Sequence, residues 1–160
     1  MSDKNKLILK GILVFSIASL SIAYFIQYIL GHKPCNLCLV ERIPYFASVV
    51  LITLMLLIDR FQKIIIIFIL LFLIFGSVVS FYHVGIEQGF FNESFVCNLE
   101  NSGSNISKDQ LLQQLENAPI SCKDVTFKFI GLSLATINTV ISLILSVIII
   151  NILRNYEQNK

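Results

Sequence analysis

The chain has 160 residues, of which 56% are apolar and only 14% are charged. Soluble domains usually carry about 25% charged residues, so this composition argues against a soluble domain and favours a membrane protein. The net charge is +2 and the basic residues are scattered along the chain, so a nucleic-acid-binding protein, which needs a clustered basic surface, is not expected either.

Four stretches of the chain contain no Asp, Glu, Lys or Arg. They are residues 11–30, 43–58, 64–86 and 129–153. At ~1.5 Å of rise per residue, about 20 helical residues cross a hydrocarbon core of about 30 Å. The second stretch is shorter than this, so its helix must either begin earlier, near the cysteines, or leave one end at the headgroups.

These stretches predict an all-α membrane protein, a single four-helix transmembrane domain over residues 1–160 with two extracytoplasmic loops. The approximate spans are 8–30, 39–58, 64–84 and 127–152, and the outer loops are 31–38 and 85–126. The turn at 59–63 is so short that the second and third helices should be antiparallel neighbours.

A cleaved signal peptide is the alternative interpretation of the first stretch, because Lys4, Lys6 and Lys10 precede it as a basic n-region would. However, its apolar core is long, and residues 28–32 offer no small-x-small cleavage site. We therefore expect this stretch to remain as a transmembrane helix.

The basic residues also predict the orientation of the spans. Those nearest the predicted inner ends are Lys4, Lys6, Lys10, Arg60, Lys63, Arg154 and Lys160. The outer side holds Lys33 and Arg42 in the first loop and three lysines in the longer second loop. By the positive-inside rule, both termini should be cytoplasmic and both loops extracytoplasmic.

The second outer loop contains one helical signal in an otherwise polar, turn-rich segment. Residues 107–110 fit a capping box, and Leu111, Leu112 and Leu115 follow on one face until Asn117 and Pro119 end the pattern. This indicates a short amphipathic helix on the outer leaflet, with a plain loop turn as the alternative.

The four cysteines all lie in the predicted outer loops: Cys35, Cys38, Cys97 and Cys122. This placement favours thiol chemistry on the oxidising side of the membrane. The C-x-x-C spacing of the first pair allows its sulfurs to bond and is a setting in which the pKa of a thiol falls. Such a pair can be opened and closed repeatedly by thiol–disulfide exchange.

Arg42 lies four residues after Cys38, on the same face if the second helix is extended backward to about Leu37. Cys38 would then lie in the first helical turn, near the positive end of the helix dipole. The guanidinium could hold the sulfur ionised and donate hydrogen bonds to a ligand carbonyl. The alternatives are interfacial snorkelling or an ion pair with Glu41, and Pro44 would kink a helix that starts so early.

Cys97 and Cys122 could form a structural disulfide that closes the second loop and stabilises the fold by about 3 kcal/mol. Alternatively, we expect an exposed bridge in this loop to be open to an incoming thiolate and to reach the C-x-x-C pair. Four cysteines permit three fully paired arrangements, which the sequence leaves open. A four-cysteine zinc site fits these spacings poorly, and no metal is expected.

His83, at the predicted outer end of the third helix, is a candidate for hydrogen bonding to a ligand or for shuttling a proton. A purely structural role is the alternative.

Several segments resemble the disulfide bond formation protein B (DsbB) family. They are PCNLCLVERIPY at 34–45, YHVGIE at 82–87, SCKDV at 121–125 and FIGLSL at 129–134. The order of features also matches: four spans, C-x-x-C first, an arginine four residues after its second cysteine, and then a loop with two cysteines. In the related vitamin K epoxide reductase family the loop cysteines precede the C-x-x-C pair, so the order favours the first family.

The resemblance implies a quinone-dependent thiol oxidoreductase of the bacterial inner membrane. A thioredoxin-fold periplasmic oxidase of the DsbA type would attack a Cys97–Cys122 disulfide, at Cys97, and the electrons would pass to Cys35 and Cys38. Cys38 would react with the quinone, ubiquinone or menaquinone, with Arg42 and His83 as cofactor-binding residues, while Cys35 would exchange with the second loop. The alternative hypothesis is a non-catalytic multi-pass membrane protein whose two disulfides only staple its loops.

Overall fold

A computed structural model of the protein describes residues 3–58, 61–92, 97, 122–123, 128–129 and 131–158. Over this part of the chain the fold is nearly all helical. Three long helices run over Asp3–Tyr28 (α1), Gln62–Glu87 (α4) and Leu134–Gln158 (α5), and a broken one is formed by Asn36–Val40 (α2) and Ile43–Leu57 (α3). Four segments of the described residues are thus long and apolar enough to cross a membrane, which confirms the predicted all-α four-helix class.

The second span is divided because Pro44 lies in the first turn of α3. Proline has no backbone N–H to donate to the carbonyl four residues earlier. The chain therefore turns at Glu41 and Arg42 before the helix restarts. This turn directs side chains of α2 and of the turn itself toward α4.

The helices pack in a chain of neighbours, with α1 against α3, α3 against α4, and α4 against α5. A core of large apolar side chains runs between them. Its buried members are Leu9, Ile12, Tyr45, Ile52, Met55, Ile66, Ile69, Leu73, Leu145, Ile149 and Ile152. Many other large apolar side chains, such as Phe46, Phe68 and Val147, are exposed on the outside of the bundle, as expected of a surface that faces lipid.

Gly76 allows α4 to approach α3 closely at the proline. A Cβ added at Gly76 would lie 2.8 Å from Cγ of Pro44, which is itself fully buried. Small residues at such crossings let helix backbones pack tightly in a membrane, where van der Waals contact drives helix association.

Replacing Gly76 with alanine is therefore expected to lower the thermal unfolding midpoint in detergent. Overpacking typically costs about 1–3 kcal/mol, which exceeds the gain of about 0.5–1 kcal/mol from the helix propensity of alanine. Gly11→Ala in α1 is the matched control, because nothing lies within 4 Å of its added Cβ, and its midpoint should stay or rise slightly. Equal midpoints for the two variants would contradict this account of the contact.

The two ends of the bundle differ in chemistry. At one end, Lys63 at the start of α4 forms a 2.7 Å ion pair with Glu157 near the end of α5. At the other end lie the C-x-x-C pair and the last turns of α4. Because the helices alternate in direction, the start of α1 and the end of α5 lie at the same end as the Lys63–Glu157 ion pair.

The start of the last helix differs from the predicted bound at residue 127. Lys128–Phe129 (β1) pairs antiparallel with Leu132–Ser133 (β2). Gly131, with a φ of +79°, supplies the left-handed residue that this tight turn needs. The helix therefore begins only at Leu134. The amphipathic helix predicted at 107–115 lies outside the described residues.

Candidate active site

The C-x-x-C pair is held at the start of α2 by a backbone contact. Cys35 is the N-cap residue, with an extended backbone, and its Sγ accepts a hydrogen bond from the N–H of Cys38 at 3.2 Å. The two sulfurs lie 2.7 Å apart, and both cysteines are free thiols. The sequence predicted that the positive end of the helix dipole would act on the sulfur of Cys38. In the structure, an N–H of the first helical turn donates to the sulfur of Cys35 instead.

The second pair forms a disulfide, Cys97–Cys122, with its Cα atoms 6.0 Å apart. The expectation of an exposed bridge was wrong, because Cys97 is only 6% exposed and Cys122 only 2%. Both belong to one buried cluster with Cys35, Leu37 and Ile86, against which Cys38 also packs. The fold therefore brings all four cysteines together, although 58 residues separate Cys38 from Cys97 in the printed sequence.

His83 lies between the C-x-x-C pair and a carboxylate. Its side chain is buried in α4, with Nε2 3.6 Å from Sγ of Cys35 and Nδ1 2.7 Å from Oε1 of Glu41. Glu87, one turn further along α4, has a carboxylate oxygen 3.8 Å from Nε2. A neutral imidazole that donates its Nδ1 proton to Glu41 presents the lone pair of Nε2 to Cys35, so this contact can accept the thiol proton.

Glu41 is satisfied on both oxygens. Its Oε2 accepts a hydrogen bond from Nδ2 of Asn138 at 2.9 Å, and the same amide contacts Oγ of Ser80 at 2.6 Å. The hydroxyl of Tyr45 donates to Oδ1 of Asn138 at 2.5 Å. A buried carboxylate is costly unless it is paired and hydrogen-bonded, so this network from α3, α4 and α5 stabilises Glu41 beside His83.

The environment lowers the pKa of Cys35 to about 5. The hydrogen bond from Cys38 is the largest cause, and the hydrogen bond and electrostatic attraction of His83 act in the same direction. Burial acts against them, since it disfavours the charged form. Cys35 is therefore a thiolate at neutral pH, which is the form that attacks disulfides.

Arg42 lies in the same region but makes different contacts from those expected. Its guanidinium donates to Oε1 of Gln27 at 2.7 Å and lies over the ring of Tyr24, 5.1 Å from its centroid. Both partners belong to α1. Glu41, the alternative ion-pair partner, faces His83 instead, so among the described residues the polar group beside the Cys35 sulfur is the imidazole of His83.

A pocket of about 250 Å³ opens beside both thiols. One wall is formed by apolar side chains of α1 and another by apolar side chains of α5. The polar groups at its surface include those of Gln27, Arg42, Glu41, His83 and Asn138. A mostly apolar cavity with a few convergent polar groups is the usual form of a small-molecule site.

The sequence did not predict that Glu41 orients His83. It also gave no prediction for Gln27, which accepts from Arg42, or for Asn138, which donates to Glu41. A signal was present for each. Glu41 is an ionisable residue at the start of a predicted span. Because burying a charge in a membrane is costly, an ionisable residue in such a place is a candidate functional residue. Gln27 and Asn138 are amides in stretches that are otherwise largely apolar.

Four membrane-spanning helices, with a free thiol pair and a disulfide packed together at one end, define a membrane protein equipped for thiol–disulfide exchange. The family model described as disulfide bond formation protein DsbB matches residues 5–152, and the chain belongs to this family. It is accordingly a multi-pass inner-membrane protein and a thiol oxidoreductase of disulfide bond formation.

A relative is found in Rickettsia prowazekii (strain Madrid E), where it is named uncharacterized protein RP370. It is 29% identical over 160 residues, which cover 99% of this chain and 93% of the relative. No solved structure gives a significant match to the chain.

Proposed function

We propose that the protein re-oxidises a periplasmic dithiol protein of the thioredoxin-fold DsbA type and passes the electron pair to a membrane quinone. The observation that carries the proposal is the single buried cluster that contains both cysteine pairs, with the C-x-x-C pair also lining an apolar pocket. Thiol–disulfide exchange requires sulfur to reach sulfur, and this packing supports exchange between the two pairs.

The first half of the reaction is exchange with the partner. A thiolate of the partner attacks Cys97, a mixed disulfide forms, and Cys122 leaves as a thiolate. The second thiol of the partner then displaces Cys97, which leaves the partner oxidised and Cys97 and Cys122 reduced. Two electrons and two protons have entered the protein.

The second half is exchange between the pairs. The loop dithiol reduces a Cys35–Cys38 disulfide in two displacements. One loop thiolate attacks Cys35 and expels Cys38, and the second loop thiolate then expels Cys35, which restores the Cys97–Cys122 bridge. The low pKa of Cys35 supports this role, because a sulfur that is stable as a thiolate is a good leaving group. Cys38 is then the thiol that delivers the electron pair into the pocket, and His83 with Glu41 takes up the proton from Cys35.

The residues around the pocket fit a quinone headgroup. An apolar cavity of about 150 Å³ holds a benzene molecule, so about 250 Å³ suits a substituted ring. Arg42 and His83 would hold its oxygens by hydrogen bonds, and the apolar side chains of α1 and α5 would enclose its ring. A bound quinone supplies the acceptor for two electrons and two protons. Both ubiquinone and menaquinone satisfy these requirements.

We further propose that the cysteine end of the bundle faces the periplasm and that both termini are cytoplasmic. The basic residues at the end marked by the Lys63–Glu157 ion pair support this orientation. An oxidising compartment is also where a disulfide such as Cys97–Cys122 persists.

Removing quinone is expected to stop turnover. Purified protein, stripped of quinone in detergent, should oxidise a reduced DsbA-type partner for at most two rounds, one for each of its cysteine pairs, and should regain continuous turnover when ubiquinone or menaquinone is added. The measurement is the loss of partner thiols over time. Turnover that continues unchanged without quinone would reject the proposed function.

The alternative that the sequence left open, a non-catalytic membrane protein whose disulfides are purely structural, conflicts with membership in a family of thiol oxidoreductases. The burial of Cys97 and Cys122 is compatible with it, since structural disulfides are typically buried. Under this hypothesis, loss of a cysteine lowers stability but leaves disulfide formation in the cell intact.

A further inference from the structure

Three side chains at the candidate active site form a set of metal-binding atoms. Sγ of Cys35, Sγ of Cys38 and Nε2 of His83 all lie within 4.8 Å of one another. Thiolate sulfur and imidazole nitrogen are the donors that Zn²⁺ prefers in proteins. Cys97 and Cys122 take no part, because their sulfurs are bonded to each other.

The distance from Cys35 to His83 matches that of a tetrahedral zinc site, and the distance between the two sulfurs is shorter than such a site needs. With Zn–S of about 2.3 Å and Zn–N of about 2.0–2.1 Å, the S···N edge of a tetrahedron is about 3.6 Å and the S···S edge about 3.8 Å. Sγ of Cys35 and Nε2 of His83 are 3.6 Å apart. The two sulfurs are 2.7 Å apart, so the Cys38 side chain would have to move by about 1 Å, which a rotation about χ1 provides.

The surroundings of His83 orient it as a ligand. A metal-binding histidine usually donates its other ring N–H to a carboxylate, which fixes the tautomer and the ring orientation. Here Nδ1 lies 2.7 Å from Glu41, and Glu41 is held in turn by Asn138. Nε2 is thereby directed at the sulfurs. The Glu87 carboxylate, 3.8 Å from Nε2, or a water from the pocket can complete four ligands.

We propose that the reduced Cys35–Cys38 pair and His83 bind a thiophilic divalent cation, Zn²⁺, and that the bound cation reversibly blocks the oxidoreductase. Binding releases the thiol protons and oxidises nothing, so it competes with disulfide formation for the same sulfurs. The cation is a regulator of the reduced state and not a resident cofactor. The inhibition rests on the proposed function, whereas the binding itself does not.

The binding test uses the full-length Cys97→Ser/Cys122→Ser protein, reduced, freed of reductant and quinone under anaerobic conditions, and kept in detergent. Zn²⁺ is titrated against a chromophoric chelator, and Cd²⁺ serves as a spectroscopic substitute through its sulfur-to-metal absorbance. We expect one ion per chain with the pair reduced and none with Cys35 and Cys38 oxidised to a disulfide.

Variants identify the ligands. Cys38→Ser should abolish binding, and His83→Gln should weaken it by at least ~10-fold, because a glutamine amide is a poor zinc ligand. Glu41→Gln should weaken it by about 10–100-fold, the usual effect of losing the group that orients a metal-binding histidine. Glu157→Gln, at the opposite end of the bundle, should leave the affinity unchanged.

Two results would overturn the proposal: no stoichiometric binding to the reduced protein, or the same affinity in the Cys38→Ser variant. The Cys35→Ser variant is a second check that does not depend on misfolding, because serine is a preferred N-cap residue and should preserve the start of α2. This variant should also fail to bind Zn²⁺. In the second arm, Zn²⁺ should stop quinone-dependent turnover and a chelator should restore it. A protein that binds Zn²⁺ but never reduces quinone would reject the proposed function and leave the metal site standing.

Discussion

Replacing Cys35 with serine is expected to abolish electron transfer to quinone while the fold is preserved. The thiol is lost from the contact between the two cysteine pairs, so both exchange with the loop and disulfide formation with Cys38 become impossible. A serine at this position still accepts the N–H of Cys38, because serine is a preferred N-cap residue. Turnover with a DsbA-type partner should fall by more than ~1000-fold, measured as quinone reduction, with an unfolding midpoint near that of the wild type.

The Cys97→Ser/Cys122→Ser double variant is the matched control. It should lose turnover with the protein partner but retain quinone reduction driven by a small dithiol such as dithiothreitol, which can reach Cys38 directly. This pattern separates the relay from the hypothesis of purely structural disulfides, under which none of the proteins, the wild type included, reduces quinone. Full turnover in Cys35→Ser with the protein partner would eliminate the relay.

Replacing His83 with glutamine is expected to shift the pH dependence of the alkylation rate of Cys35 to higher pH. The pKa of Cys35 is about 5 in the wild type, so its alkylation rate should rise as pH rises through 5 and be level by pH 7. Below pH 5 the thiol is protonated and unreactive. Without the imidazole the pKa of Cys35 should rise toward the ordinary value of about 8.5, although the hydrogen bond from Cys38 remains and keeps part of the shift.

The measurement is alkylation of Cys35 by iodoacetamide in the reduced protein, with the modified peptide identified by mass spectrometry. Near pH 6 the His83→Gln variant should react several-fold to about 10-fold more slowly than the wild type. Glu157→Gln, at the opposite end of the bundle, is the control and should give the wild-type profile. If His83→Gln also gave the wild-type profile, His83 would not be what holds Cys35 ionised.

The position of the cysteines could be predicted from the sequence because it depends on the spans alone. A stretch of about 20 apolar residues must cross the bilayer as a helix, and everything between two such stretches must lie at an end of the bundle. Cys35 and Cys97 are therefore expected at one end without knowledge of any contact. The break at Pro44 could also be predicted from the sequence, because it follows from the missing backbone N–H of a single residue.

The neighbours of each sulfur could not be predicted in this way. Arg42 was expected beside the thiolate because it is four residues from Cys38, yet its guanidinium turns to Gln27 and Tyr24 on α1. The group beside Cys35 is His83, which is 48 residues away in the chain. Helical spacing relates residues on one helix, and it contains no information on which face a second helix presents.

The burial of the Cys97–Cys122 disulfide shows the same limit. A polar, turn-rich loop indicated an exposed bridge, but Leu37 and Ile86 provide an apolar surface at the end of the bundle on which it packs. That surface exists only once α2 and α4 are side by side.

The sequence alone determined the membrane class, the number of helices and the end of the bundle at which the thiols lie, because each of these depends on hydrophobic length and on local backbone chemistry. The tertiary structure alone decided that the two cysteine pairs share one cluster and that Glu41 and Asn138 order His83 beside Cys35. These contacts join α2, α4 and α5, and their geometry is set by how the helices pack, a property of the whole bundle that no single segment encodes.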